Sequence, residues 1–340
     1  MKKTLTLIFT ALLCFFIISG CQKSDNTNGT VYNPPVSSTS FMFDTVTNIT
    51  IYSAKTEDNP EEILKDVTKI CNDLENKLSK TIEESDVNRI NKSKGEAVEV
   101  SDETAELINL SKKYSDLSKG AFDITIAPLS EVWNFQNENP TPPSDDEINT
   151  LLTSVGMDFI NIDGNTVTKT NPDTEIDLGG IAKGYIADKT AEYLKSRNVT
   201  SALINFGGNV VTIGSKTDNT PFKIGVQKPF AETNEVCGAV SSKDGTIVTS
   251  GTYQRYFEYN GEKYHHILDP KTGKPSNSGL LSVTIEGTKS ADADALSTAC
   301  FVLGLDKGME LIESLDGIEG VFITEDYDII TTKNSTFEKL

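Results

Sequence analysis

Two side chains that could bind a metal ion lie one helical turn apart in the segment 291–301, ADADALSTACF. If a helix begins near Ser290, Asp294 and Thr298 occupy positions i and i+4 and share one face. A carboxylate and a hydroxyl on one face are hard oxygen ligands, which suit Mg²⁺ and leave positions for water or phosphate. The alternative is that Asp294 stabilises a helix end and Thr298 bonds its own backbone, and the segment alone favours that alternative.

A glycine-rich turn in EIDLGGIAKGYIAD, residues 175–188, indicates a second place for a ligand. Gly179 and Gly180 allow the backbone to approach a ligand closely, and the helix that follows presents free N–H groups suited to phosphate. Lys183 adds a positive charge one turn later, and Asp177 precedes the turn. The pattern is neither GxGxxG nor a P-loop, so a strand–helix turn with solvated charges remains the alternative.

Both histidines of the protein lie in YHHILDPKTGKP, residues 264–275. His265 and His266 are neighbours on a predicted strand, so their side chains point to opposite faces and only one can reach a given site. A histidine that points inward is often structural, but near phosphate chemistry it is a candidate proton acceptor or donor.

The only tryptophan, Trp133, lies in GAFDITIAPLSEVWNF, residues 120–135, in which Phe122 and Asp123 stand near the start. A Phe–Asp pair can serve core packing alone. Aromatic rings also flank planar ligands, so the pair is a candidate contact for one.

Helices and antiparallel hairpins interleave along the chain without a regular βαβ rhythm, which predicts an α+β fold. Asn260-Gly261, between alternating segments, is a strong signal for a β-hairpin. Ser144 and Glu147 form a predicted capping box. Hydrophobic periodicity and helix caps predict long helices over 60–80, 101–120, 144–156, 179–198 and 291–303.

The composition is that of a globular protein with an acidic surface. The chain has 340 residues, 37% of them hydrophobic, and a formal net charge of −19. Such a charge argues against nucleic acid as a partner and against adsorption onto anionic lipid, since both carry negative charge themselves.

Residues 1–20 form a predicted lipoprotein signal peptide: a short basic start, an apolar run too short to span a membrane comfortably, and the ending ISGC. Cleavage before Cys21 would leave a lipid on that cysteine. The polar residues 22–40 are predicted to be a flexible tether, and 41–340 the folded domain. The sequence therefore predicts a lipid-anchored protein of the cell membrane that faces outside the cytoplasm; an ordinary secretory signal with an incidental cysteine is the alternative.

Taken together in order, six segments resemble the ApbE family of FAD:protein FMN transferases. The resemblance covers about residues 41–332, essentially the mature domain, and no single motif is decisive. The matching segments are GAFDITIAPL, IDLGGIAKGYIAD, INFGGNV, TSGTYQR, HHILDPKTGKP and ADADALSTA.

The resemblance implies an α+β fold of the T-fold type and a Mg²⁺-dependent reaction. FAD is split at its pyrophosphate, FMN is attached through a phosphoester to a Ser or Thr of an acceptor redox protein, and AMP leaves. Asp294 and Thr298 correspond to magnesium ligands, with the backbone carbonyl of Gly180 as a third, and His266 corresponds to a histidine of the transfer step. The positions implied to contact FAD are Met42, Ala121, Phe122, Asp123, Asp177, Lys183 and the Leu268 backbone.

One position departs from the family pattern. Many members carry an aromatic residue near LSKTIEESDVNRIN, where this chain has Thr81, so a stacking partner for the flavin or adenine is missing. Two other functions remain open from the sequence: a Mg²⁺-dependent FAD pyrophosphatase that uses water as nucleophile, and a flavin-binding lipoprotein. Whether His266 or a nearby carboxylate accepts the proton of the acceptor hydroxyl is open as well.

Overall fold

A computed structural model describes residues 29–231 and 235–340 of the chain. Within these ranges the α-helices are α1 (Pro60–Leu78), α2 (Asp86–Lys92), α3 (Asp102–Leu117), α4 (Ala127–Trp133), α5 (Asp145–Leu152), α6 (Ala182–Ser196), α7 (Ser290–Leu303) and α8 (Leu305–Glu313). The strands are β1 (Thr30–Met42), β2 (Thr45–Ala54), β3 (Val98–Glu99), β4 (Ile160–Asp163), β5 (Thr166–Lys169), β6 (Val199–Phe206), β7 (Asn209–Ile213), β8 (Phe222–Gln227), β9 (Val236–Ser242), β10 (Thr246–Gly251), β11 (Tyr256–Tyr259), β12 (Glu262–His265), β13 (Leu280–Gly287), β14 (Glu319–Thr324), β15 (Ile329–Thr331) and β16 (Phe337–Lys339).

An antiparallel sheet of eight strands, in the order β1-β2-β6-β7-β10-β13-β14-β15, forms the centre of the fold. Three smaller antiparallel sheets accompany it: β11-β12, β16-β9-β8 and β3-β5-β4. Helices α6 and α7 pack on each other, and α7 also packs on β10 and β13. The prediction of an α+β fold with antiparallel sheets and packed helices is therefore confirmed.

Helix α7 lies at the centre of the main core. Its sequence is alanine-rich and apolar on nearly every side, and ten of its fourteen residues are buried, Phe301 completely. A helix that is hydrophobic all round must be buried in this way. Asp294, only 3% exposed, is thus a carboxylate inside an apolar helix, where its charge is costly to bury unless polar groups or a cation pair with it.

The predicted helix starts are largely confirmed by the caps. Ser101 accepts a hydrogen bond from Thr104 N at the start of α3, and Ser144 forms the predicted capping box with Glu147 at the start of α5. Helix α5 ends at Leu152, several residues before the predicted end at 156.

The hairpin predicted at Asn260-Gly261 joins β11 to β12. Both turn residues have positive φ, 51° and 82°, as a two-residue type I′ turn requires. The turn places His265 and His266 at the far end of the returning strand.

One predicted boundary is corrected. Residues 30–40, expected to be flexible tether, form most of β1, which pairs with β2 at the edge of the main sheet. The expected signal peptide and Cys21 lie outside the described residues. Among the residues described, no helix has both the length and the apolar character to cross a bilayer.

Candidate functional site

Helices α6 and α7 pack on each other and approach most closely at Gly184. A Cβ atom at position 184 would lie 2.2 Å from the carbonyl oxygen of Ser290, a backbone atom that has little room to retreat. Only glycine permits this approach. The close contact brings the N-terminal turn of each helix against the side of the other.

Each of these two helices is capped by a carboxylate of its neighbour. Asp188 of α6 accepts hydrogen bonds from Ser290 N (2.8 Å) and Ala291 N (3.0 Å), while Asp294 Oδ2 of α7 accepts one from Gly184 N (3.0 Å). The residues that precede the helices, Lys289 and Ile181, provide no side-chain cap themselves. Burial raises the pKa of Asp188. The capping role considered for Asp294 is therefore real, but it serves α6.

The second oxygen of Asp294 remains available. Oδ1 accepts no hydrogen bond from the residues that the structure describes, although the side chain is almost fully buried. Lys183 Nζ lies 3.7 Å from Oδ2 and donates to Gly179 O at 2.9 Å. A carboxylate oxygen that has no hydrogen-bond partner is a hard, negatively charged donor, so Oδ1 is suited to a cation such as Mg²⁺.

Thr298 and Gly180 lie beside this carboxylate. A Cβ atom at Gly180 would lie 3.8 Å from Thr298 Oγ1 and 3.2 Å from the ring of Phe122. The Thr298 hydroxyl lies 3.3 Å from Ser250 Oγ of β10 and forms no bond to its own helix backbone. The structure thus places Gly180 beside Thr298, one turn of α7 away from Asp294, and the metal-binding role of the three residues stays a prediction.

This donor set fits Mg²⁺. Asp294 and Thr298 supply a carboxylate oxygen and a hydroxyl, and the Gly180 carbonyl is the third expected donor. All three are hard ligands of the kind that Mg²⁺ binds while it keeps positions for water or phosphate. No group of three or more His, Cys, Asp or Glu side chains arranged to hold a metal ion occurs in the described ranges. Since the candidate donors at the site are all oxygen atoms, a soft transition metal is a poor match for it.

Asp177 fixes the glycine turn that precedes α6. Its Oδ1 accepts from Gly179 N at 2.8 Å, its backbone N–H donates to Ile124 O at 2.7 Å, and its Oδ2 lies 3.1 Å from Lys80 Nζ. The neighbour of Lys80, Thr81, is exposed and bonds only Ser79. The segment that departs from the family pattern therefore contacts this site through a lysine.

The segment 121–123 enters the site through Phe122. Ala121 and Phe122 are buried, and Phe122 N donates a hydrogen bond to Ser118 Oγ at 2.9 Å. The Asp123 carboxylate is occupied locally: Oδ1 accepts from Thr125 N (2.8 Å) and Thr125 Oγ1 (2.6 Å), and Oδ2 from Met157 N (3.2 Å). Burial raises the pKa of Asp123.

The two histidines have different partners. His265 Nε2 donates to Ser276 O at 3.1 Å, and its ring packs edge-on against Phe301. His266 Nδ1 lies 3.1 Å from Arg255 O. Because a carbonyl oxygen only accepts, Nδ1 of a neutral His266 carries the proton and Nε2 carries the free lone pair.

Burial of the ring, followed by the nearby charge of Arg255, lowers the pKa of His266 to about 4, and the charge of Lys183 acts in the same direction. His266 is therefore neutral at pH 7 and within electrostatic reach of Lys183. Burial also lowers the pKa of His265. A neutral imidazole with a free Nε2 can accept a proton.

Met42 and Leu268 are buried in different apolar clusters. Met42 ends β1 and belongs to the main core. Leu268 packs in a second cluster with Trp133, whose Nε1 donates to Gly273 O at 2.7 Å. The tryptophan thus serves packing of the loop that follows the histidines.

Four residues near the site were not predicted: Lys80, Asp188, Ser250 and Arg255. Ser250 and Arg255 fall within TSGTYQR, one of the six matching segments, so the signal was present without a residue being chosen. Arg255 is exposed, and its guanidinium has no hydrogen-bond or ion-pair partner among the described residues. For Asp188 the only sequence signal was an acidic residue within a largely apolar part of a predicted helix.

Comparison with known proteins supports the resemblance seen in the sequence. The profile of the ApbE family matches residues 43–322. A FAD:protein FMN transferase of Klebsiella pneumoniae (strain 342) is 37% identical over 79% of this chain and 84% of its own length. One of Haemophilus influenzae is 31% identical over 100% of this chain and 99% of its own length.

Solved structures agree with the fold. The ApbE protein of Thermotoga maritima superposes with a TM-score of 0.82 at 34% identity, covering 88% of this chain and 97% of that one. The flavin transferase ApbE of Vibrio cholerae gives 0.79 at 27% identity, covering 89% and 97%. The architecture expected from the sequence is thereby confirmed.

Proposed function

The chain belongs to the ApbE family, and on that premise we propose that it is a Mg²⁺-dependent FAD:protein FMN transferase. In this reaction a Ser or Thr hydroxyl of an acceptor protein attacks the FMN phosphorus of FAD. A phosphoester forms, the pyrophosphate P–O bond breaks, and AMP leaves. The observation that carries the proposal is the convergence of Asp294, Thr298, Gly180 and Lys183 at one point.

Phosphoryl transfer depends mainly on positioning and on offsetting negative charge. Asp294, Thr298 and the Gly180 carbonyl would hold the metal ion, which when bound supplies positive charge to the pyrophosphate oxygens. Lys183, fixed by Gly179 O, adds a second positive charge beside that place. The guanidinium of Arg255, which no side chain of the described ranges pairs with, is close enough for its charge to act on His266 and offers a further cation for a phosphate.

The attacking hydroxyl must lose its proton as the new bond forms. We assign that proton to Nε2 of His266, which is neutral and whose Nδ1–H is held by Arg255 O. Asp123 is less suited to the task because its carboxylate already accepts three hydrogen bonds. A base that is neutral at working pH and held in one orientation can accept a proton without reorganising.

The proposed reaction is tested by incubating the protein with FAD, Mg²⁺ and a candidate acceptor protein, followed by intact-mass measurement and detection of AMP. We expect the acceptor to gain the mass of FMN, with AMP released in equal amount. Release of AMP with an unmodified acceptor would instead identify a pyrophosphatase. Binding of FAD with no AMP would identify a flavin-binding protein.

We also propose that the protein is anchored by a lipid on Cys21 and works outside the cytoplasm, where exported or membrane-bound redox proteins would be its acceptors. The ISGC ending supports this. Cys21→Ala is expected to move the protein from the membrane fraction to the soluble fraction, or to block processing, while the purified domain keeps its transfer rate. Fractionation and mass spectrometry check both points; an acylated Cys21→Ala protein that stays on the membrane contradicts the assignment.

A further inference from the structure

Three hydroxyl groups form a hydrogen-bonded chain beside the proposed metal ligands. Ser250 Oγ of β10 lies 2.8 Å from Ser297 Oγ and 3.3 Å from Thr298 Oγ1, both of α7. Ser297 Oγ in turn lies 2.9 Å from the backbone oxygen of Asp294. Ser297 is fully buried, and the other two hydroxyls are half-buried. The chain therefore connects a residue of the sheet to two residues next to the metal-binding carboxylate.

The last acceptor in this series of hydroxyls fixes the direction of each hydrogen bond in it. The backbone oxygen of Asp294 can only accept, so Ser297 donates to it. Each hydroxyl has a single proton, so Ser297 accepts from Ser250, and Ser250 accepts from Thr298. The proton of Thr298 is thus directed at Ser250, and its lone pairs receive no hydrogen bond from the described residues.

This orientation suits cation binding. A hydroxyl binds a cation through a lone pair, and a proton directed at the cation would be repelled. We propose that Ser250 is a positioning residue: it accepts the Thr298 proton and so presents the Thr298 lone pairs to Mg²⁺. The inference rests on the metal binding of the proposed function and adds a residue that acts on it from outside the ligand set.

A purely structural role makes a different prediction. If Ser250 only tied β10 to α7, its loss would lower the melting temperature and leave metal affinity unchanged. Thr249 provides a matched comparison on the same strand, because its hydroxyl bonds Thr284 Oγ1 of β13 at 2.8 Å. Thr249→Val removes a side-chain hydrogen bond of the same kind without touching the chain of Ser250, Ser297 and Thr298.

The test is a titration of each full-length variant with Mn²⁺ alone, in which the free ion is followed by electron paramagnetic resonance. Ser250→Ala is expected to weaken Mn²⁺ binding about threefold to tenfold, the range of one lost hydrogen bond. The Mg²⁺ concentration for half-maximal transfer should rise by a similar factor, while the rate at saturating Mg²⁺ stays within about twofold. Ser250→Thr, which keeps a hydroxyl, should restore binding, and Thr249→Val should bind as the wild type does.

Asp294→Ala separates the failure of this inference from failure of the proposed function. If Asp294→Ala abolishes Mn²⁺ binding and Ser250→Ala binds like the wild type, the positioning role is wrong and the metal site stands. If Ser250→Ala and Thr249→Val weaken Mn²⁺ binding equally, the effect is a general loss of stability and the positioning role of Ser250 is overturned as well. If the wild type binds no Mn²⁺, both the site and the positioning role are overturned.

Discussion

Asp294→Ala is expected to lower the rate of FMN transfer about a hundredfold or more, and Thr298→Val to lower it by a much smaller factor. Asp294 supplies the charge of the proposed metal site, whereas Thr298 supplies a neutral oxygen. Losing one strong electrostatic contact in such a reaction typically costs about 2.7–4 kcal/mol in the transition state. Transfer rates with each variant at several Mg²⁺ concentrations measure both effects.

Asp294 also caps α6, so a second variant has to separate charge from structure. Asp294→Asn keeps an oxygen that can accept from Gly184 N but removes the charge. We expect it to fold with nearly the wild-type melting temperature and to be almost as inactive as the alanine variant. EDTA should stop the wild-type enzyme and Mg²⁺ should restore it; full activity after thorough chelation would contradict the metal assignment.

His266→Ala is expected to lower turnover about a hundredfold or more while the dissociation constant for FAD stays nearly unchanged. A proton acceptor contributes to the transition state more than to ground-state binding. Transfer rate, FAD affinity and melting temperature measured together test this. Wild-type transfer by His266→Ala, or a joint loss of FAD affinity and melting temperature, would show that the residue serves packing.

His265→Ala is the matched control, and the structure changes what is expected of it. A histidine that merely pointed away from the site into solvent could be replaced without effect, but His265 bonds Ser276 O and packs on Phe301 in the core. Its replacement should therefore lower the melting temperature and leave the transfer rate of the folded protein close to wild type. Greater damage to transfer in His265→Ala than in His266→Ala would reverse the assignment.

The lowered pKa of His266 also predicts how the stability of the folded protein changes with pH. The folded-state pKa is about 4, below the ordinary value of 6.5, so the unfolded chain takes up the proton first as the pH falls. The stability that His266 contributes is complete above about pH 6.5 and is lost as the pH falls towards 4. Urea unfolding at pH 7 and pH 5 should show a larger loss for wild type than for His266→Ala.

Local signals in the sequence predicted much of the fold. The periodicity of α1, the serine caps of α3 and α5, and the Asn260-Gly261 turn depend on neighbouring residues alone, and the structure contains all of them. Strand β1 was not predicted, because its residues are largely polar and include Pro34 and Pro35. The two prolines lie where the pairing register with β2 shifts. Edge strands tolerate proline, and β1 owes its form to pairing with β2.

In the candidate site too, the residues that local spacing identifies were predicted and their partners from distant segments were not. Helical spacing was enough to place Asp294 and Thr298 on one face, and the glycine turn before α6 pointed to Lys183. The partners of these residues come from distant segments: Asp188 and Gly184 face α7 from α6, and Ser250 reaches α7 from β10. Such contacts depend on packing between elements, which spacing along one segment does not encode.

If Cys21 carries a lipid, the early start of strand β1 limits how far the folded domain can lie from the membrane. Since the main sheet begins at Thr30, only residues 22–29 separate it from Cys21. Fully extended, eight residues span roughly 30 Å at about 3.3–3.6 Å each, which is close to the thickness of a bilayer's hydrocarbon core. With a lipid on Cys21, the edge of the domain would stay within one such thickness of the membrane surface. Acceptors held in the same membrane would then meet the domain more often than acceptors that diffuse freely.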